Sequence, residues 1–123
     1  MLRSINNVLL VDDEPEICML LSAMLRRNGA QCFSAHTLEE AKKVVASGLR
    51  FDAAFLDANL PDGMGYTLIP AIKSHSPDSA CVAISAMDTE GANAEAAGAD
   101  TFVAKPLSRQ AIMDALRKLG FNT

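Results

Sequence analysis

The stretch Val8-Leu9-Leu10-Val11-Asp12-Asp13-Glu14-Pro15 decides how the rest of the chain is read. Four consecutive apolar residues that stop at an acid predict a strand buried on both faces, as in a parallel sheet covered on each side by helices. Pro15 suits the first turn of a helix, and Ile17, Leu20, Leu21, Met24 and Leu25 recur at helical spacing until Asn28-Gly29 ends the run. The result is one βα unit.

Outward from this unit the same alternation continues. Cys32 to Ala35 predicts a second strand, and Thr37-Leu38-Glu39-Glu40 has capping-box spacing ahead of a helix carrying Ala41, Val44 and Val45 up to Gly48. Ala53 to Leu56 is a third buried run ending at Asp57, followed by the turn-rich Pro61-Asp62-Gly63 and then by Leu68, Ile69 and Ile72. Pro70 falls in this third helix. An interior proline removes a hydrogen bond and crowds the preceding turn, so the helix either kinks there or begins only a turn earlier. Cys81 to Ile84 and Phe102 to Ala104 predict strands four and five, and Ile112, Ala115, Leu116 and Leu119 a last helix with Ser108 as its N-cap. Five strands strictly alternating with five helical segments imply an α/β domain, a doubly wound parallel sheet with right-handed crossovers and helices on both faces.

Composition agrees with one such domain spanning residues 1–123. At 123 residues, half of them apolar and 21% charged, a chain buries about two-thirds of its unfolded surface in a single core. There is no linker tract and no repeat. A net charge of −4 argues against direct contact with DNA or RNA, because affinity for a phosphate backbone rests on clustered Lys and Arg. Cys18, Cys32 and Cys81 are far apart in apolar stretches, which predicts reduced thiols in the core. Asn6 and Asn7 interrupt the short apolar start and no run approaches membrane-spanning length, so a cytoplasmic protein without membrane contact is expected.

Open sheets of this kind bind ligands at the carboxyl ends of their strands. Here strand one ends in Asp12-Asp13, strand three in Asp57 and strand four in Ser85, while strand five leads to Lys105-Pro106. Two like charges about 4 Å apart repel by roughly 4 kcal/mol at an effective dielectric of about 20, so three carboxylates on one edge require a cation or a proton. An all-oxygen set without His or Cys points to a hard ion, Mg²⁺ above others because it keeps waters and pairs with phosphate. Lys105 adds a compact positive charge opposite Asp57. Taken singly, each residue has a plainer reading: acids before a helix cap it, Asp57 forms a turn, Ser85 bonds to backbone, and Lys105 is solvated. Their joint occurrence at four strand ends favours a functional site. His36 and His75 have no partner at metal-binding or catalytic spacing and read as surface residues, and Met64 and Met87 read as apolar filler.

These motifs together resemble the response-regulator receiver domain of two-component signalling, over nearly the whole chain. Val11-Asp12-Asp13-Glu14-Pro15 resembles the family's acidic pair, Leu56-Asp57 with Leu60-Pro61-Asp62-Gly63 its phosphoacceptor and following loop, Ile84-Ser85-Ala86 its hydroxyl position, and Lys105-Pro106 its lysine and cis-proline. Phe102 matches its aromatic switch position. The resemblance implies a flavodoxin-like strand order of 2-1-3-4-5. It also implies that Asp57 takes a phosphoryl group from a histidine kinase or a phosphotransfer protein. Asp13, Asp57 and the backbone carbonyl of Asn59 would hold Mg²⁺, with Asp12 acting through water, and Lys105 and Ser85 would hold phosphoryl oxygens. The outcome would be a changed face for a downstream protein target, with no catalysis beyond the domain's own phosphorylation and dephosphorylation. Lys105 would then matter to switching more than to folding. Two features depart from the family pattern: Ser85 stands where threonine is more frequent, and the stretch from Asp88 to Ala97 is short and contains Gly91 and Asn93.

Two rival functions fit less of the chain. A haloacid-dehalogenase-type phosphatase would need a second acid at position 59, where Asn59 stands, and more chain for its cap. A flavodoxin-like cofactor site needs a Ser/Thr/Gly-rich phosphate loop after strand one, where Asp12-Asp13-Glu14 would repel a phosphate. Nothing in these residues distinguishes a free-standing regulator from a receiver within a longer protein.

Overall fold

The computed structural model describes residues 2–123; Met1 lies outside the described residues. The chain runs β1 (Asn7–Val11), α1 (Pro15–Arg26), β2 (Gln31–Ala35), α2 (Leu38–Ala46), β3 (Ala53–Asp57), a 3₁₀ turn (Gly65–Leu68), α3 (Ile69–His75), β4 (Ala80–Ser85), α4 (Glu90–Ala96), β5 (Thr101–Ala104) and α5 (Arg109–Lys118). All strands are parallel, in the order β2-β1-β3-β4-β5. The expected fold is the observed one.

The strand sequences explain the layering. Successive side chains point to opposite faces, so Val8, Leu10, Ala53, Phe55, Val82 and Ile84 form one core with Cys18, Leu21 and Leu25 of α1 and Ile112 and Leu116 of α5. Leu9, Val11, Ala54, Leu56 and Cys81 form the other with Leu38, Ala41 and Val45 of α2 and Ile69 and Ile72 of α3. Because both faces are covered, every residue of β3 and β4 is buried. Full burial of a Leu, Ile or Phe side chain contributes about 1.5–3 kcal/mol, which makes this double core the main source of stability.

Local signals fix the helix ends. Thr37 Oγ1 accepts from Glu40 N at 3.0 Å, but the Glu40 carboxylate bonds His36 N at 2.8 Å, one residue earlier than a capping box requires. Ser108 Oγ accepts from Ala111 N at 3.1 Å, as its N-cap reading predicts. Pro70 resolves without a kink: a 3₁₀ turn precedes α3 and the proline falls in the first helical turn, where its missing N–H has no partner to lose. At the amino end of the sheet, Arg3 N donates to Gly120 O at 2.7 Å and Asn122 N to Arg3 O at 2.8 Å, a short parallel clasp between the chain's two ends. The Arg3 guanidinium lies 4.5 Å from the centre of the Phe121 ring. Cys18 and Cys81 are buried free thiols, while Cys32 on the β2 edge is half-exposed. No helix among the described residues is long and apolar enough to cross a membrane.

Candidate functional site

Strand register assembles the site. Val11 pairs with Leu56 and Asp57 with Ile84, so the residue after β1 stands beside the last residue of β3. Ser85 pairs with Ala104, one residue before Lys105, whose N–H donates to Ser85 O at 2.8 Å. Asp12, Asp57, Ser85 and Lys105 thus meet at one edge, as expected, and carboxylate oxygens of Asp12, Asp13 and Asp57 lie within 4.8 Å of one another. Asp12 is 1% exposed and Asp57 3%, whereas Asp13 opens to solvent. The Lys105-Pro106 bond is cis.

The charge pairing differs from expectation in one respect. Lys105 Nζ lies 3.0 Å from Asp12 Oδ2, 3.4 Å from Asp57 Oδ2 and 3.7 Å from Glu14 Oε2. The lysine therefore leans to the acidic pair and is a counter-charge to Asp12 as well as to Asp57. Burial works against its charge, but Asp12, Asp57 and Glu14 together hold its pKa above the ordinary value. Burial pushes Asp57 up to about 6; the Asn59 N–H opposes this, the Asp12 charge adds to it, and Lys105 opposes it again. Two buried carboxylates share one ammonium.

Hydrogen bonds complete the frame. Asp57 Oδ1 accepts from Asn59 N at 3.0 Å, Asn59 Nδ2 donates to Ser85 Oγ at 3.0 Å, and Met87 N donates to the same oxygen at 3.0 Å. The Ser85 hydroxyl is thus held by two donors while its own proton remains to be given. Asp12 Oδ1 accepts from Glu14 N at 2.9 Å, but Asp12 Oδ2 is buried without a well-directed hydrogen bond, its lysine neighbour being close yet poorly aligned. Three carboxylates whose oxygens lie within 4.8 Å of one another are a donor set suited to a hard divalent cation. The residues present fit such an ion.

Some neighbours of the site had no reading in the sequence, and others had a reading that the structure now places. Gly65 packs its backbone against Asp57 so closely that a Cβ would overlap the Asp57 carbonyl oxygen. Asp62 in the following loop accepts from Leu38 N at 2.8 Å and Glu39 N at 3.1 Å, pinning that loop to the start of α2 and holding its carboxyl below the usual range. Tyr66 Oη donates to the buried Glu90 of α4 at 3.1 Å. Met64 and Met87 are exposed, and Met87 Sδ lies 3.8 Å from Asn59 Nδ2 beside the site, so they do not fill a core. His36 also departs from its expected surface role. It is half-buried, and its Nδ1 lies 2.9 Å from the Asp12 carbonyl oxygen. His75 is exposed at the end of α3. Phe102 stands half-buried on β5, outside the carboxylate cluster, its ring 3.5 Å from where a Cβ on Gly91 would be, and lines a hollow of about 350 Å³ with Glu95, Asp100 and Lys118.

Comparison with known proteins accords with this geometry. Residues 8–117 match the model of the response regulator receiver domain. The chain belongs to the response regulator receiver domain family. It is 36% identical over 116 residues to the response regulator protein PilR of Pseudomonas aeruginosa, covering 89% of this chain and 26% of PilR. It thus spans about a quarter of that relative's length. Among solved structures, the response regulator TrrA of Thermotoga maritima in complex with Mg²⁺ and BeF superposes with a TM-score of 0.79 at 29% identity, covering 93% of this chain and 98% of that one. A response regulator of Burkholderia pseudomallei, with a phosphorylated aspartic acid, a calcium ion and citrate, gives 0.81 at 27% identity, covering 90% and 66%.

Proposed function

We propose that this receiver, residues 1–123 acting as one unit, is a phosphorylation switch with Asp57 as phosphoacceptor. The observation that carries it is the position of Asp57. It ends a fully buried central strand, with one oxygen on Asn59 N–H, the other 3.4 Å from Lys105, and two more carboxylates alongside. This spot combines a nucleophilic carboxylate, a cation and a carboxylate set that could hold a metal.

The donor is a phosphohistidine of a histidine kinase or phosphotransfer protein. An Asp57 oxygen attacks phosphorus, the phosphorus–nitrogen bond breaks, and its electron pair stays on the departing imidazole. Asp13, Asp57 and the Asn59 carbonyl would hold Mg²⁺, with Asp12 acting through water; when bound, the ion would neutralise charge on the phosphoryl oxygens and their carboxylate neighbours. Lys105 takes one phosphoryl oxygen as a point charge, and the Ser85 hydroxyl donates its free proton to another. The Mg²⁺-bound and phosphorylated relatives named above support this assignment. The reaction is confined to the domain's own phosphorylation and dephosphorylation, and the reader of the switch is a downstream protein in the cytoplasm. Asp57→Ala should abolish labelling by a small phosphodonor with Mg²⁺. A hydroxylamine-sensitive phosphate that persists in this variant overturns the assignment.

A further inference from the structure

We infer that His36 is a positioning residue for the acidic pair, acting through the Asp12 carbonyl; the inference rests on the metal-assisted phosphorylation proposed above. Asp12 N donates to Ala35 O at 3.1 Å, the last rung of the β1–β2 ladder. At the next rung the ladder would use the Thr37 N–H, but the chain has left β2 by then and that bond is not made. The buried Asp12 carbonyl therefore receives no backbone donor among the described residues. A buried carbonyl left unpaired is costly. The His36 ring fills the vacant place, with Nδ1 at 2.9 Å, and the Cys18 thiol is a second, weaker donor to the same oxygen at 3.7 Å. A carbonyl oxygen only accepts, so Nδ1 carries the proton in this contact.

The consequence follows from peptide planarity. The Asp12 carbonyl oxygen and the Asp13 Cα belong to one rigid plane, so fixing the oxygen fixes the direction in which Asp13 leaves the strand. Asp13 is exposed, and no hydrogen bond of its own carboxylate would otherwise set its course. Spanning the same peptide, Asp12 Oδ1 accepts from Glu14 N at 2.9 Å. His36 and Glu14 thus hold the peptide from both ends, and the carboxylate that would bind metal inherits the orientation.

Four proteins test this: the wild type, His36→Ala, His36→Phe, and His36→Asn, whose side-chain amide presents a donor at the same distance from the backbone as Nδ1. Mg²⁺ affinity by calorimetric titration and metal-free thermal unfolding are measured on each, with labelling by a small phosphodonor as a third readout. The loss of one neutral hydrogen bond corresponds to about a fivefold change in an equilibrium constant. His36→Ala and His36→Phe should each weaken Mg²⁺ binding about fivefold, with labelling slowed in proportion at limiting Mg²⁺, and His36→Asn should restore most of both. Equal Mg²⁺ affinity in His36→Phe and the wild type overturns the inference, as does a fall in Tm with affinity unchanged or a failure of His36→Asn to rescue. A wild type that takes neither Mg²⁺ nor phosphate overturns the function itself, a result distinct from all of these.

Discussion

Lys105 stands nearer to Asp12 than to Asp57, 3.0 Å against 3.4 Å, so in the resting protein the ammonium is first a counter-charge to the acidic pair. Removing it leaves two buried carboxylates with no cation. Metal-free Lys105→Ala should therefore be less stable than the wild type by about 2 kcal/mol, the usual scale for a lost hydrogen bond to a buried charge. Saturating Mg²⁺ should recover part of this, because ligands of the folded state add stability by mass action. Chemical denaturation with chelator and with Mg²⁺ reads both; equal stability in the two proteins without metal would assign the lysine to switching alone.

Asp57 carries a predicted pH signature. Its folded-state pKa is pushed up from 3.8 to about 6, first by burial, so the folded protein binds this proton more tightly than the unfolded chain. The group therefore favours folding at pH below 3.8, and that advantage is lost as pH rises through about 6. Near neutral pH the ionised carboxylate is a burden in the metal-free state. Asp57→Asn should then be more stable than the wild type by roughly 1–3 kcal/mol, and the gap should close on acidification. Thermal melts in chelator across this range decide it; a gap independent of pH would show that the carboxylate is ordinary.

Gly65 has no freedom to change. A Cβ there would overlap the Asp57 carbonyl oxygen, which is backbone and cannot swing aside. Gly65→Ala should cost about 2–4 kcal/mol, by displacing the loop or the end of β3, and should slow labelling of Asp57 as well. The measurement is denaturation paired with phosphodonor kinetics, and full retention of both would mean that the loop re-forms without loss.

The segment 88–98 should be the most mobile part of the resting domain and gain order on phosphorylation. Helix α4 has seven residues, buries only Glu90 and Ala94, and carries Gly91, a poor helix former, in its first turn. Its polar tie to the rest is the Tyr66–Glu90 bond. Amide hydrogen exchange in this segment should be fastest at rest, slow when a beryllofluoride mimic binds, and quicken about fivefold in resting Tyr66→Phe. Protection at rest that the mimic does not alter would exclude this segment from signal output.

The parts of this site that could be read from sequence were those marked by a change of pattern. Asp12, Asp57 and Ser85 each stop an apolar run, and Lys105 follows one closely, so knowing that the sheet is parallel is enough to bring them together. Pro70 announced a helix boundary but left two solutions open, because the 3₁₀ turn before α3 depends on how the loop returns to the sheet. His36, Gly65 and the preference of Lys105 for Asp12 were hidden for a common reason. Each is set by contact with a specific atom elsewhere in the chain: a carbonyl 24 residues away for His36, the Asp57 backbone for Gly65. No periodicity encodes such contacts. Met64 and Met87 misled because methionine is usually interior, whereas the loops at the strand ends leave both in solvent.

The clasp between Arg3 and residues 120–122 gives the molecule a mechanical property. Its two backbone bonds join segments that run in the same direction, so tension applied to the two ends of the chain would load them together in shear and not peel them one after the other. Strand β1 begins four residues beyond Arg3 and leads directly to Asp12. A pull on either end therefore reaches the carboxylates only after this clasp has yielded.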